Sequence, residues 1–121
     1  MECEVTEPST VFVLTGHTHE WGERFSLIRT PAGTTTEETL YDVAVGEGFR
    51  DEPPLVIYPP DAPLQLEPGD RLRMRCDWFN TESEPLYYPK EMCAAPLFYY
   101  PSRGFEACFQ DNGKFELLEI D

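Results

Sequence analysis

His17 and His19 are the only two histidines in the chain. Two residues apart on an extended segment, their imidazoles point to one side and can reach one ion. An H-T-H pair with no other histidine therefore reads as a metal signal, against the alternative of an exposed turn at Gly16 and Thr18. The missing ligands decide the metal. Zinc asks for a further His, a Cys or a carboxylate, and Glu20 and Glu23 lie close by. A thioether instead favours Cu(I), to which soft sulfur is matched. Of the three methionines, Met1 is terminal, Met74 falls on the apolar side of an alternating run, and Met92 sits between Glu91 and Cys93. Packing is the usual use of methionine, so the residues alone leave the third ligand open.

The elements that must hold these residues read as short strands. Twelve prolines and eight glycines are scattered along 121 residues, which leaves no room for a continuous helix. Val11–Leu14, Arg24–Arg29 and Leu40–Val45 are strand candidates, with Phe25 and Leu27 on one face. The clearest strand is Arg71–Phe79, where Leu72, Met74, Cys76 and Trp78 alternate with Arg71, Arg73, Arg75 and Asp77. The turn Glu67-Pro68-Gly69-Asp70 launches it. Pro53, Pro54, Pro59, Pro60 and Pro63 confine their segment to loop or edge strand. Asn80–Lys90 reads as a polar loop. Leu97–Tyr100 and Phe105–Phe109 bracket a Pro101–Gly104 turn, and Phe115–Ile120 closes the chain. The aromatic cluster Tyr87, Tyr88, Phe98, Tyr99 and Tyr100 is expected mostly in the core, with a hydrophobic wall beside the metal as the sharper alternative. The pattern is all-β, a sandwich or jelly roll in one domain spanning residues 1–121.

Composition narrows the partners. The net charge of −14 excludes phosphate-backbone recognition, which needs clustered Lys and Arg, and anionic membrane surfaces. Neither nucleic acid nor membrane is an expected partner, and no apolar run approaches a membrane span. The start Met1-Glu2-Cys3-Glu4 has no apolar leader, so the chain reads either as cytosolic or as a mature or excised piece of a longer precursor. Four cysteines without a C-x-x-C pair fit two disulfides in an oxidising, extracellular or periplasmic compartment. Four buried thiols in a cytosolic protein are the alternative.

The order H-T-H, then P-G-D-R-L-R-M-R-C, then E-M-C, then F-Y-Y-P resembles the C-terminal domain of the copper type II, ascorbate-dependent monooxygenases, the family of peptidylglycine α-hydroxylating and dopamine β-monooxygenases. The resemblance runs from Cys3 to Cys108. It implies one copper ion per chain on His17, His19 and Met92, an antiparallel β-sandwich of jelly-roll type, and two disulfides, Cys3–Cys108 and Cys76–Cys93. It also implies oxygen activation by the copper and hydroxylation of a small-molecule substrate.

Two departures qualify what the resemblance implies. Family enzymes carry a second copper on three histidines of another domain, and two histidines cannot build that site. A second copper domain or a reductant such as ascorbate is thus an expected partner. Peptide-amidating members hold the peptide carboxylate at positions that here are Thr15, Ala94 and Pro96, so peptide amidation is not expected. Two other readings stand beside the monooxygenase domain: a secreted copper-binding module without turnover, and a cupin-like zinc or iron protein using H-T-H and Glu23. The last lacks the later histidine that cupins use.

Overall fold

The computed structural model describes residues 1–111 and 114–120, with side chains up to residue 106. Ten strands in antiparallel pairs account for its regular structure, and no helix occurs among the described residues. The first sheet has the order β1-β7-β3-β4, with β1 at Glu2–Glu4, β3 at Gly22–Thr30, β4 at Glu38–Ala44 and β7 at Arg71–Trp78. The second is centred on β2 (Ser9–Leu14). One edge of β2 pairs with β8 (Leu97–Tyr100), and the other with the short β6 (Leu64–Leu66) and β5 (Val56–Ile57). Strands β9 (Phe105–Asp111) and β10 (Lys114–Ile120) form a separate hairpin.

The core is built from the inward faces of both sheets, the arrangement of a β-sandwich. Phe25 and Leu27 of β3 and Tyr41 of β4 meet Val11 and Leu14 of β2 and Leu64 and Leu66 of β6. Phe25 and Tyr41 pack edge to face with ring centroids 5.7 Å apart. Leu72, Met74 and Cys76 of β7 pack against this cluster while Arg71, Arg73 and Arg75 face water, as the alternation requires. The Glu67–Asp70 turn forms as expected: the Asp70 amide donates to the Glu67 carbonyl at 3.0 Å, and Gly69 takes φ +90°, open to glycine at little cost.

Two expectations are corrected. Trp78 does not continue the buried face of β7; it is 45% exposed. The pairing of β7 with β3 runs Gly22 to Trp78 and then Arg24 to Asp77, so Glu23 is an extra residue. Such a bulge re-aims the strand end. The aromatic cluster is not core either: Tyr87, Tyr88, Phe98 and Tyr100 are all exposed, Tyr88 at 75%. Phe98 and Tyr100 lie on the outer face of β8, while Leu97 and Tyr99 pack against the core. Tyr87 and Tyr88 stand on the 80–90 loop, which has no strand.

The Cys76–Cys93 disulfide is present. It links β7 of the first sheet to the segment leading into β8 of the second. Cys3 is also engaged rather than free. Its expected partner Cys108 has a side chain outside the described residues, so one of the two expected disulfides is described.

Candidate functional site

The histidines and Met92 lie just beyond the paired ends of β2 and β8, where the same ladder continues as far as His17. Leu14 pairs with Leu97. The Thr15 amide then donates to the Pro96 carbonyl at 3.1 Å. His17 pairs with Ala94: its amide donates to the Ala94 carbonyl at 2.8 Å, and its carbonyl accepts from the Ala94 amide at 3.0 Å. His17 and Ala94, opposite one another on antiparallel segments, share a face. Beyond this bridge the ladder stops, and the amides of His19 and Met92 both donate to the Glu91 carboxylate. Thr18, on the opposite face, is fully buried.

The histidine rings are in contact, with centroids 5.0 Å apart at an interplanar angle of 87°. The His19 Nδ1 lies 2.8 Å from the Lys90 carbonyl oxygen. A carbonyl only accepts, so Nδ1 carries the proton and Nε2 keeps its lone pair for a metal. A backbone carbonyl on the far nitrogen is a common way to fix the orientation of a ligating imidazole. Burial lowers the pKa of His17, helped by the nearby charges of His19 and Arg50 and opposed by Glu91. The ring is thus kept neutral, the form that ligates.

Glu91, which the sequence reading did not single out, joins the two segments. The residue is 8% exposed. Its Oε1 accepts the amides of His19 at 2.6 Å and Met92 at 2.8 Å, and Oε2 accepts the amide of Trp21 at 3.1 Å. The Met92 backbone is further fixed by the adjacent Cys93 disulfide.

The remaining candidates have other tasks. Glu20 is ion-paired with Arg50, and Glu23 is the exposed bulge residue. Among the described residues, no three His, Cys, Asp or Glu side chains gather where they could hold a metal. The Thr15 hydroxyl donates to the Pro54 carbonyl at 2.9 Å, Ala94 is the bridge partner of His17, and Pro96 lends its carbonyl to Thr15. None of the three offers a free group to a peptide carboxylate.

Two depressions flank the histidine segment. One of about 360 Å³ is lined by His19, Glu20, Val45, Phe49 and Arg50 among others. The other, about 480 Å³, is lined by Trp21, Glu23, Phe79 and Glu82 among others. His17 and Met92 line neither.

The candidate donor set thus consists of two imidazoles in contact and the thioether of Met92, whose backbone amide shares the Glu91 carboxylate with that of His19. It fits copper, and Cu(I) most closely. None of the curated proteins matches the chain. The family model described as copper type II ascorbate-dependent monooxygenase, C-terminal domain, matches residues 2–120, and the chain belongs to that copper-dependent family.

Proposed function

We propose that the chain binds one copper ion through His17, His19 and Met92 and serves as the oxygen-activating half of a monooxygenase. The observation that carries this reading is the histidine pair: two rings 5.0 Å apart, with the His19 Nδ1 committed to the Lys90 carbonyl. The Glu91 oxygen that accepts the amides of both His19 and Met92 brings the two segments together and supports the thioether as third ligand. When bound, copper supplies the one-electron redox chemistry of the family's hydroxylation reaction. The protein holds His19 in one tautomer, keeps His17 neutral, and fixes the Met92 backbone through Glu91 and Cys93. Three neutral ligands leave positions open on the ion, and the depression of about 360 Å³ beside His19 offers a small-molecule substrate a place to lie.

With two histidines in all, these residues cannot form a second site of three imidazoles. The further electron therefore comes from ascorbate or from a second copper domain. A disulfide at the site favours an oxidising, extracellular or periplasmic setting.

The test is an anaerobic Cu(I) titration against a competing chelator, on wild type and Met92→Ile. One tight copper per chain, weakened by the substitution, is the expected result. Absence of tight copper, or indifference to the substitution, would leave only a family fold without this site.

A further inference from the structure

We infer that Glu91 is the positioning residue of the metal site: its buried carboxylate locks the His17–His19 segment and the Met92 segment into one preorganised unit before any ion binds. The inference rests on the copper reading above and adds to it a residue that is not itself a ligand.

A carboxylate in the interior is costly unless its charge is met. Among the described residues, Glu91 makes no ion pair. Backbone amides meet it instead, and they come from both sides of the site. One oxygen bridges the amides of His19 and Met92, one proposed ligand on each segment, and the other oxygen holds Trp21. No amide side chain can replace this arrangement. Gln has one acceptor oxygen, and its NH2 group would face a backbone N–H, donor against donor. The residue before Glu91 completes the lock, because the Lys90 carbonyl orients the His19 ring. Two consecutive residues thus set both the backbone position and the ring orientation of His19, and the second of them also fixes the amide of Met92.

The carboxylate also brings charge. His17, His19 and Met92 are neutral ligands, so a bound cation would be uncompensated. Glu91 supplies a negative charge held beside His19 and Met92. Its effect is larger on Cu(II) than on Cu(I), since the interaction scales with the charge of the ion.

The test uses the full chain as wild type, Glu91→Gln, Glu91→Asp, Met92→Ile and the double variant Glu91→Gln/Met92→Ile. It reads Cu(I) affinity by anaerobic chelator competition, Cu(II) affinity by the same method in air, the copper–sulfur contribution by X-ray absorption, and near-UV circular dichroism without metal. Glu91→Gln is expected to lower Cu(I) affinity about 10- to 100-fold, the usual effect of losing a partner that orients a ligand. Cu(II) affinity falls further, and the sulfur contribution weakens. Glu91→Asp keeps the charge but is one methylene too short to reach all three amides. It therefore loses sulfur ligation with a smaller change in the Cu(II)-to-Cu(I) ratio. In the double variant the two losses fall well short of adding, because Glu91 acts partly through Met92. Additive losses would overturn the inference, as would a folded Glu91→Gln with wild-type affinity beside a damaging Met92→Ile. Loss of the native dichroism in both Glu91 variants would make the residue a general prop of the fold and overturn it too. Wild type without tight Cu(I), or a silent Met92→Ile, defeats the copper reading and the inference together.

Discussion

Gly22 opens β3 three residues after His19, and a methyl group there should disturb both the fold and the proposed metal site. Its Cα faces Thr18, the fully buried residue between the histidines. A Cβ on Gly22 would fall inside contact distance of the Thr18 Oγ1 and 2.8 Å from the Thr18 Cβ. Carbon atoms settle at about 3.5–4.0 Å, so the two chains must part by roughly 0.7 Å. A rotamer change can move Oγ1 but not Cβ, so the Thr18 backbone has to yield. Overpacking of this kind costs about 1–3 kcal/mol. The segment that gives way carries His17 and His19, and its displacement reaches their rings directly. Gly22→Ala is thus expected to lower the stability of the metal-free protein by about 1–3 kcal/mol in urea denaturation and Cu(I) affinity by about tenfold or more. Adding Thr18→Gly should restore part of both, since it removes both the Thr18 Cβ and Oγ1. It also removes the Thr18 hydroxyl, which is buried with no hydrogen-bond partner. Stability within about 0.5 kcal/mol of wild type, with unchanged Cu(I) affinity, would refute the reasoning.

Two further outcomes follow from the same geometry. The folded-state pKa of His17 is lowered from its ordinary value, so between that pKa and about 6.5 the unfolded chain binds more protons and stability rises with pH. His17→Gln should flatten this part of the urea midpoint-against-pH curve between pH 5 and 7, and identical curves would remove burial of His17 as its cause. The Cys76–Cys93 bridge closes a sequence separation of 17 residues, for which loop entropy predicts about 3 kcal/mol. Cys76→Ala/Cys93→Ala should lose about that much and also weaken Cu(I) binding, because the Met92 segment loses its tie to β7. Unchanged copper affinity would show that Glu91 alone holds the segment.

Much of the fold was legible because its signals are local. The alternation of Arg71–Arg75 with Leu72, Met74 and Cys76 announces a half-buried strand. Pro68-Gly69 announces the turn before it, and Phe25 with Leu27 marks the inner face of β3. The prolines from 53 to 63 limit β5 and β6 to scraps at the edge of β2. Period-two patterning shows that a strand has two faces, yet it does not say which face another layer covers. For that reason Phe98 and Tyr100, expected in the core, stand exposed. A bulge leaves no mark in the pattern, and Trp78 was misjudged on that account. For the proposed site, H-T-H stands out through the rarity of histidine and E-M-C through family resemblance. Glu91 was hidden: one acid among 23 acidic residues differs from the rest only by partners that folding brings from 70 or more residues away.

The position of the site follows from where the two sheets must be joined. The β2–β8 ladder ends as ordinary sheet at Leu14 and Leu97, but its register runs on through Thr15–Pro96 to His17–Ala94, after which the Glu91 carboxylate takes the His19 and Met92 amides. Beyond it the chain crosses into the first sheet: Trp21 carries the Glu91 bond forward to β3, the Phe79 amide donates to the Trp21 carbonyl at 2.9 Å, and Cys93 is bonded to β7. A free ladder end would fray and leave two histidines and a methionine to find one another only when an ion arrives, with the entropy of ordering subtracted from the affinity. Here the end is fastened to the opposite sheet by a covalent bond and a buried carboxylate. The two segments bearing the proposed ligands are thereby tied together without an ion, which lowers the ordering cost that metal binding would otherwise carry.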